Sequence, residues 1–342
     1  MAAIKFQKPA LFRKDMDAVL QTMVDEKIGP AEKKKQFVKA FADYTRKKDG
    51  IAFRSYMDAI SVALNSFGLE EGDGVALSVF TPEVYLTVVK SLGLKPVVLD
   101  VDDEMMISAE EIRKNMDSIK AIVYFEPICQ LPTDPQEIKE IGLPILEDIS
   151  QSVGSMNGDI KPGRVGTIVI SATEEDAVVS TAGGAVILSD DEVVLERMKK
   201  EIENYSSYVE MADLNASLGI VQLAKLDSVV ARRNSIYKTY QQAVMKTSAK
   251  MFGQGSVDFF PNGYGFSVIV NERPDETIAF AQRYQVTARK TFSKAIGARY
   301  QDRYDKYPHG VPALARAVSF PLYPFLASAE IDTIQKVIAH LR

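Results

Sequence analysis

The chain holds 342 residues, 46% of them hydrophobic and 25% charged, and carries a formal net charge of −5. That length allows a large core and two domains, and that balance excludes a disordered or fibrous chain. The negative charge excludes nucleic acid as a main partner, while a single cysteine, Cys129, excludes an intrachain disulfide and fits a reducing, cytoplasmic compartment.

At the N-terminus Lys5, Lys8, Arg13 and Lys14 interrupt the apolar stretch that an export signal needs. Apolar runs such as Ala185 to Leu188 fall far short of the ~20 residues that span a bilayer, so no membrane is expected as a partner. Asp15 to Glu26 puts Met16, Val19, Leu20 and Met23 on one helical face, and Pro30 opens a second helix with Phe37, Phe41 and Tyr44 at helical spacing. From Ile51 onward the pattern changes to short apolar runs separated by capped helices. Gly74 to Phe80 reads as a strand, Thr81-Pro82 as a helix start, and Gly93 as lying near that helix's end. A strand at Pro96 to Asp100, a Ser108-x-x-Glu111 capping box and a strand at Lys120 to Phe125 follow. A helix near Pro135 to Ile141 and a strand at Leu143 to Glu147 complete the alternation, which predicts an α/β fold with a mostly parallel, doubly wound sheet. Ligands on such sheets sit at the carboxyl ends of the strands, where Asp148 and Gln151 fall. Val165 to Ser171 and Gly184 to Leu188 read as strands, and Asp190 to about Tyr240 as helical. The remainder, with a strand at Tyr264 to Asn271, a helix after Pro274 and a Ser328-capped terminal helix, reads as a smaller α+β unit.

Dinucleotide, P-loop and hydrolase signatures are absent. With two histidines, His309 and His340, and one cysteine, the usual zinc ligand set cannot be assembled, and no metal site is expected. Cys129 reads as a small buried hydrophobe.

The stretch Glu147-Asp148-Ile149-Ser150-Gln151-Ser152-Val153-Gly154 resembles the E-D-A-A-Q-x-x-G segment of the DegT/DnrJ/EryC1/StrS sugar aminotransferases. Gly72-Asp73, Gly93 to Asp102, Gly183-Gly184-Ala185, Met211 to Asp227 with Ala231-Arg232-Arg233, and Leu322-Tyr323-Pro324 are similar to that family in the same order, over almost the whole chain. The resemblance implies the fold type I of pyridoxal-phosphate (PLP) transferases, the aspartate aminotransferase type. It implies a large domain at 1–235, with an N-terminal helical arm and a mostly parallel central sheet, and a smaller C-terminal α+β domain at 236–342. It also implies a homodimer, because the family builds each site from two chains. In the family the residue matching Asp148 pairs with the pyridine nitrogen, the residue matching Gln151 lies near the ring oxygen, and Ser171 remains as a phosphate contact. A helix N-cap is the bland reading of Asp148, of equal weight.

Other parts of the family's site are replaced. Counting back from Gly183-Gly184-Ala185 places Asp176 at the Schiff-base lysine, and no lysine occurs between Lys161 and Lys199. A carboxylate forms no aldimine. The phosphate cradle matches Arg54-Ser55-Tyr56-Met57-Asp58, where bulk and negative charge oppose phosphate. Pro82 takes the place of the stacking aromatic residue, with Tyr85 as a substitute one turn later, and Tyr208 that of the partner-reaching asparagine; Arg54 could supply a new phosphate contact. The resulting expectation is a homologue with no catalytic residue and no cofactor, PLP being non-covalent if held at all. Asp148, Gln151 and Ser171, with Arg54, Tyr56 and Tyr85 beside them, form a remnant pocket retained for a small molecule such as a nucleotide-sugar, or for assembly. The alternative is an aminotransferase or sugar-modifying enzyme acting on a keto-sugar nucleotide through another lysine or through Asp148, Glu175 or Asp176. The trio Glu174-Glu175-Asp176 reads more readily as a solvated turn, the reading with the greater weight.

Overall fold

A computed structural model describes residues 3–253 and 257–341. Two amphipathic helices, α1 (Arg13–Val24) and α2 (Glu32–Thr45), precede the first strand, β1 (Asp49–Phe53). The chain then alternates through α3 (Tyr56–Ser66), β2 (Gly74–Ser78), α4 (Val84–Ser91), β3 (Lys95–Leu99), α5 (Ala109–Lys114), β4 (Ala121–Phe125), α6 (Pro135–Lys139) and β5 (Ile145–Asp148). After the short β6 (Met156–Asn157) come β7 (Ile168–Ala172) and β8 (Ala185–Ser189). The helical stretch that follows is four separate helices: α7 (Glu192–Ile202), α8 (Ser206–Val209), α9 (Asp213–Ala224) and α10 (Leu226–Val244). The last part holds β9 (Lys250–Met251), β10 (Phe259–Phe260), β11 (Phe266–Ile269), α11 (Pro274–Arg283), β12 (Arg289–Lys290), α12 (Gly310–Arg316), β13 (Ala317–Phe320) and α13 (Ser328–Ile338).

Seven strands form the central sheet in the order β1-β8-β7-β5-β4-β2-β3. The pairs from β7 to β3 are parallel, and β8 runs antiparallel to both β7 and β1. Every residue of β2, β4, β5, β7 and β8 is buried, which explains their continuous apolar runs: helices cover both faces of a parallel sheet. The expected mostly parallel α/β sheet is therefore present. β1 and α3 were not resolved by pattern, because β1 opens on Asp49-Gly50 and gains its identity from pairing with β8. A second, antiparallel sheet has the order β12-β13-β11-β9. In the terminal helix the N-cap is Ala327 and not Ser328; the Glu330 carboxylate accepts the Ala327 N–H at 2.8 Å, supplying half of a capping box.

The helix α1 is inverted relative to the usual amphipathic helix. Its buried residues are Asp15 and Thr22, whereas Met16, Leu20, Met23 and Val24 are 54%, 58%, 55% and 74% exposed. Asp15 turns inward because it accepts the Phe12 N–H and pairs with Lys225 at 3.0 Å. Among the described residues no helix is long and apolar enough to cross a membrane.

Candidate functional site

The carboxyl ends of β4, β5 and β7 lie side by side, with Phe125 opposite Asp148 and Asp148 opposite Ile170. Asp148 closes β5 and is fully buried. Its Oδ1 accepts from the Ser150 N–H at 2.9 Å and from the Ser150 hydroxyl, while its Oδ2 accepts from the Tyr85 hydroxyl at 2.8 Å and from the Tyr56 hydroxyl. The Ser150 contacts span two residues, so Asp148 organises a turn and does not cap a helix. Ser150 also accepts the Ala172 N–H at 2.8 Å, tying the end of β7 to the same carboxylate. Burial pushes the Asp148 carboxyl up, and the hydrogen bonds from Ser150 and the tyrosines oppose that shift.

Tyr56 is the first residue of α3 and Tyr85 belongs to α4. Their hydroxyl oxygens lie 3.2 Å apart and their rings meet edge to face, with centroids 5.9 Å apart. Burial, and then the neighbouring Asp148 charge, drives both phenols well above their ordinary range, so both remain neutral donors.

Gln151 serves a different end. Its Oε1 accepts the Ile128 N–H at 2.8 Å and its backbone carbonyl accepts the Cys129 N–H at 3.2 Å. Ile128 and Cys129 have φ of +45° and +70°, a left-handed conformation that is strained for a β-branched residue, so Gln151 braces a strained loop beside the site. Burial pushes the Cys129 thiol up to about 11, as suits an inert buried side chain. Ser171 is buried within β7, its hydroxyl 3.5 Å from the Ala172 carbonyl.

Asp176 is exposed in the turn after β7, where its carbonyl accepts from Gln7 Nε2 at 2.7 Å. Glu174 and Glu175 are exposed with it, and burial and then the Asp176 charge push the Glu174 carboxyl up. Arg54 is exposed and donates through Nε to the Glu210 carbonyl at 2.8 Å. Ser55 is the N-cap of α3, accepting the Asp58 N–H at 3.4 Å; Tyr208 is exposed on α8.

Sequence reasoning missed the pair behind Asp148. Glu147 is fully buried and accepts four backbone N–H groups, from Gly163 at 2.7 Å, Arg164 at 3.1 Å, Val165 at 2.9 Å and Gly166 at 2.6 Å. Glu126, just past β4, is also fully buried, with Oε2 bonded to the Ser152 hydroxyl and Oε1 without a hydrogen-bond partner. Burial, then the Glu147 charge, pushes the Glu126 carboxyl well up. Glu147 carried a signal as the first residue of the family-like E-D segment, whereas Glu126 offered only an acid set against a buried strand.

Among the described residues, no group of three or more His, Cys, Asp or Glu is placed to hold a metal ion.

A sequence model of the DegT/DnrJ/EryC1/StrS aminotransferase family matches residues 10–341. Among solved structures, the putative sugar aminotransferase Spr1654 from Streptococcus pneumoniae in its PLP-form superposes with a TM-score of 0.89 at 18% identity, over 98% of each chain. DesV from S. venezuelae, in complex with a ketimine intermediate, gives 0.88 at 18% identity, over 99% of this chain and 98% of that one. NtdA from Bacillus subtilis, with bound cofactor PMP, gives 0.86 at 18% identity, over 99% and 85%. The fold is that of the PLP fold type I aminotransferases. These matches correct one expectation, that of no cofactor: the family, and neighbours solved in PLP-form or with PMP, point to PLP. That expectation gave its weight to the lost lysine, phosphate cradle, stacking ring and partner-reaching asparagine, and the buried carboxylate at the end of β5 is still present.

Proposed function

The chain belongs to the DegT/DnrJ/EryC1/StrS aminotransferase family, and from that membership we propose that its cleft takes PLP but does not transfer amino groups, and is retained for binding a small molecule such as a nucleotide-sugar. The observation that carries this reading is Asp176, a carboxylate in a stretch that holds no lysine from residue 162 to 198. A carboxylate offers no amine for an aldimine or for shuttling a substrate proton.

The residues fit one end of the cofactor. A buried anion suits a protonated ring nitrogen, and Asp148 is such an anion at the carboxyl end of a central strand. The aldehyde end meets no lysine from β7 to β8, and the phosphate end meets Tyr56 and Asp58 where small residues would let helix N–H groups approach an anion. When bound, PLP supplies an electron sink. The chain's own residues would orient and shield: Asp148 would hold the ring nitrogen, the fully buried Tyr85 hydroxyl keeps water from its oxygen, and Gln151 braces the loop beside it. Incubation with PLP followed by borohydride reduction and peptide mass spectrometry should give no stoichiometric lysine adduct, and an amino donor with a keto-sugar nucleotide should give no turnover. A stoichiometric adduct on one lysine, with turnover lost when that lysine is replaced, would establish an active aminotransferase instead.

A homodimer is part of the same proposal. Support comes from α1, whose outward Met16, Leu20 and Met23 recur at i, i+4 and i+7 beside exposed Val24, a stripe suited to a second copy. Leu20→Glu with Met23→Glu should convert a dimer to a monomer in light scattering, since two charges in an apolar interface are uncompensated. An unchanged mass would remove α1 from the interface. Division at 235/236 is also proposed: along α10, Leu226 and Val230 join one core with Phe37 and Val153, whereas Ile236, Tyr237 and Tyr240 join another with Phe266 and Val318. Cytoplasmic residence rests on the single cysteine.

A further inference from the structure

An ionised carboxylate offers about four lone-pair sites, and Asp148 receives four donors from this chain: the N–H and hydroxyl of Ser150 and the hydroxyls of Tyr56 and Tyr85. A ring nitrogen approaching Asp148 must therefore displace one of them. Ser150 N–H is fixed by the backbone of the turn, and the Ser150 hydroxyl also accepts the Ala172 N–H, so neither is free to leave without disturbing β7. Tyr85 is fully buried, packed in the large core with Leu86 and Val88. Tyr56 differs from these. It is partly exposed, opens α3, and packs at the edge of that core instead of within it. It also stands at the position that the sequence assigns to the phosphate cradle.

We infer that Tyr56 is an intrachain latch: its phenol occupies the anchor that the cofactor ring needs, and the cofactor binds only when the Tyr56 side chain has swung out. This rests on the reading that the cleft around Asp148 takes PLP. A latched state lowers apparent affinity by the fraction of molecules that are open. A hydrogen bond to a charged acceptor corresponds to roughly a ten- to hundred-fold factor, so Tyr56→Ala should tighten binding by about that much. Tyr56→Phe, which keeps the ring and loses only the hydroxyl, should fall between the variant and the wild type.

The probe is pyridoxamine phosphate, which has no aldehyde to react with surface lysines. Its dissociation constant is measured by equilibrium dialysis against wild type, Tyr56→Phe, Tyr56→Ala and Tyr56→Ala with Asp148→Asn, with near-UV circular dichroism to establish that each is folded. Tighter binding in the order Ala, Phe, wild type, lost again when Asp148→Asn is added, is the expected result. Equal or weaker binding by both single variants overturns the latch; if Asp148→Asn still weakens binding, the reading of the cleft stands. If Asp148→Asn has no effect, or Tyr56→Ala binds nothing, the latch and the cleft reading fall together.

Discussion

Glu147→Gln should unfold in urea at a much lower midpoint than the wild type. Four amide N–H groups converge on the Glu147 carboxylate, two on each oxygen, at 2.6–3.1 Å. A glutamine keeps one accepting oxygen and turns an NH2 group toward the other two donors, leaving them buried and unpaired. Each such loss costs ~1–3 kcal/mol, and the sum of about 2–6 kcal/mol is a large part of the ~5–15 kcal/mol that holds a domain folded. The loop cannot easily draw back to compensate. A Cβ at Gly166 would lie 2.6 Å from the Glu147 Cβ and 2.5 Å from the Ile168 carbonyl oxygen, so this glycine permits the closest approach of loop to strand. Midpoints followed by near-UV circular dichroism decide the matter; a midpoint equal to that of the wild type would mean that the loop is held by other contacts.

The inner strands β2, β4, β5, β7 and β8 were legible in the sequence because every residue of each is buried and they are written as largely apolar runs between turn signals. What periodicity cannot supply is direction. It placed Met16, Leu20 and Met23 on one face of α1, but a helical stripe looks the same whether it meets the chain's own core or another surface. The turn inward of the opposite face depends on Asp15 meeting Lys225, far along the chain. The site was legible in its anchor and illegible in its occupancy. Asp148 follows from its position at the end of a strand and from the family motif, whereas the Tyr56 hydroxyl reaches it from a helix 92 residues earlier, a contact that only the folded sheet creates. Gln151 illustrates the same limit: its identity fits the motif, and its hydrogen bond to Ile128 depends on a loop conformation that no local pattern announces. The expectation of no cofactor failed for a related reason, since counting lost anchors says nothing about the affinity that remaining ones provide.

Glu126→Gln should lessen the fall in stability with rising pH. Glu126 faces Glu147 and Asp148 from β5 and Ser152 from the turn after it, and burial first, then the Glu126 carboxyl, pushes up the Tyr124 phenol of β4. Of the two adjacent carboxyls, Glu147 takes all four amide donors, and Glu126 is left with one hydroxyl partner and an unpartnered oxygen, which suit its protonated form. Burial is the largest cause of the raised Glu126 value and the Glu147 charge the next. The sign follows from proton counting. Between the ordinary glutamate value of ~4.3 and the raised folded value, the native state holds a proton that the unfolded state has released. Stability from this group is therefore complete below the ordinary value and is lost as pH rises toward and through the folded one, with a slope of up to about 1.4 kcal/mol per pH unit. Glutamine carries no titrating proton and keeps the hydrogen bond to Ser152, so the variant's urea midpoint should decline less as pH rises above the ordinary glutamate value and should exceed that of the wild type at the alkaline end. Parallel pH profiles for the two proteins would mean that Glu126 does not carry the proton that the native state retains.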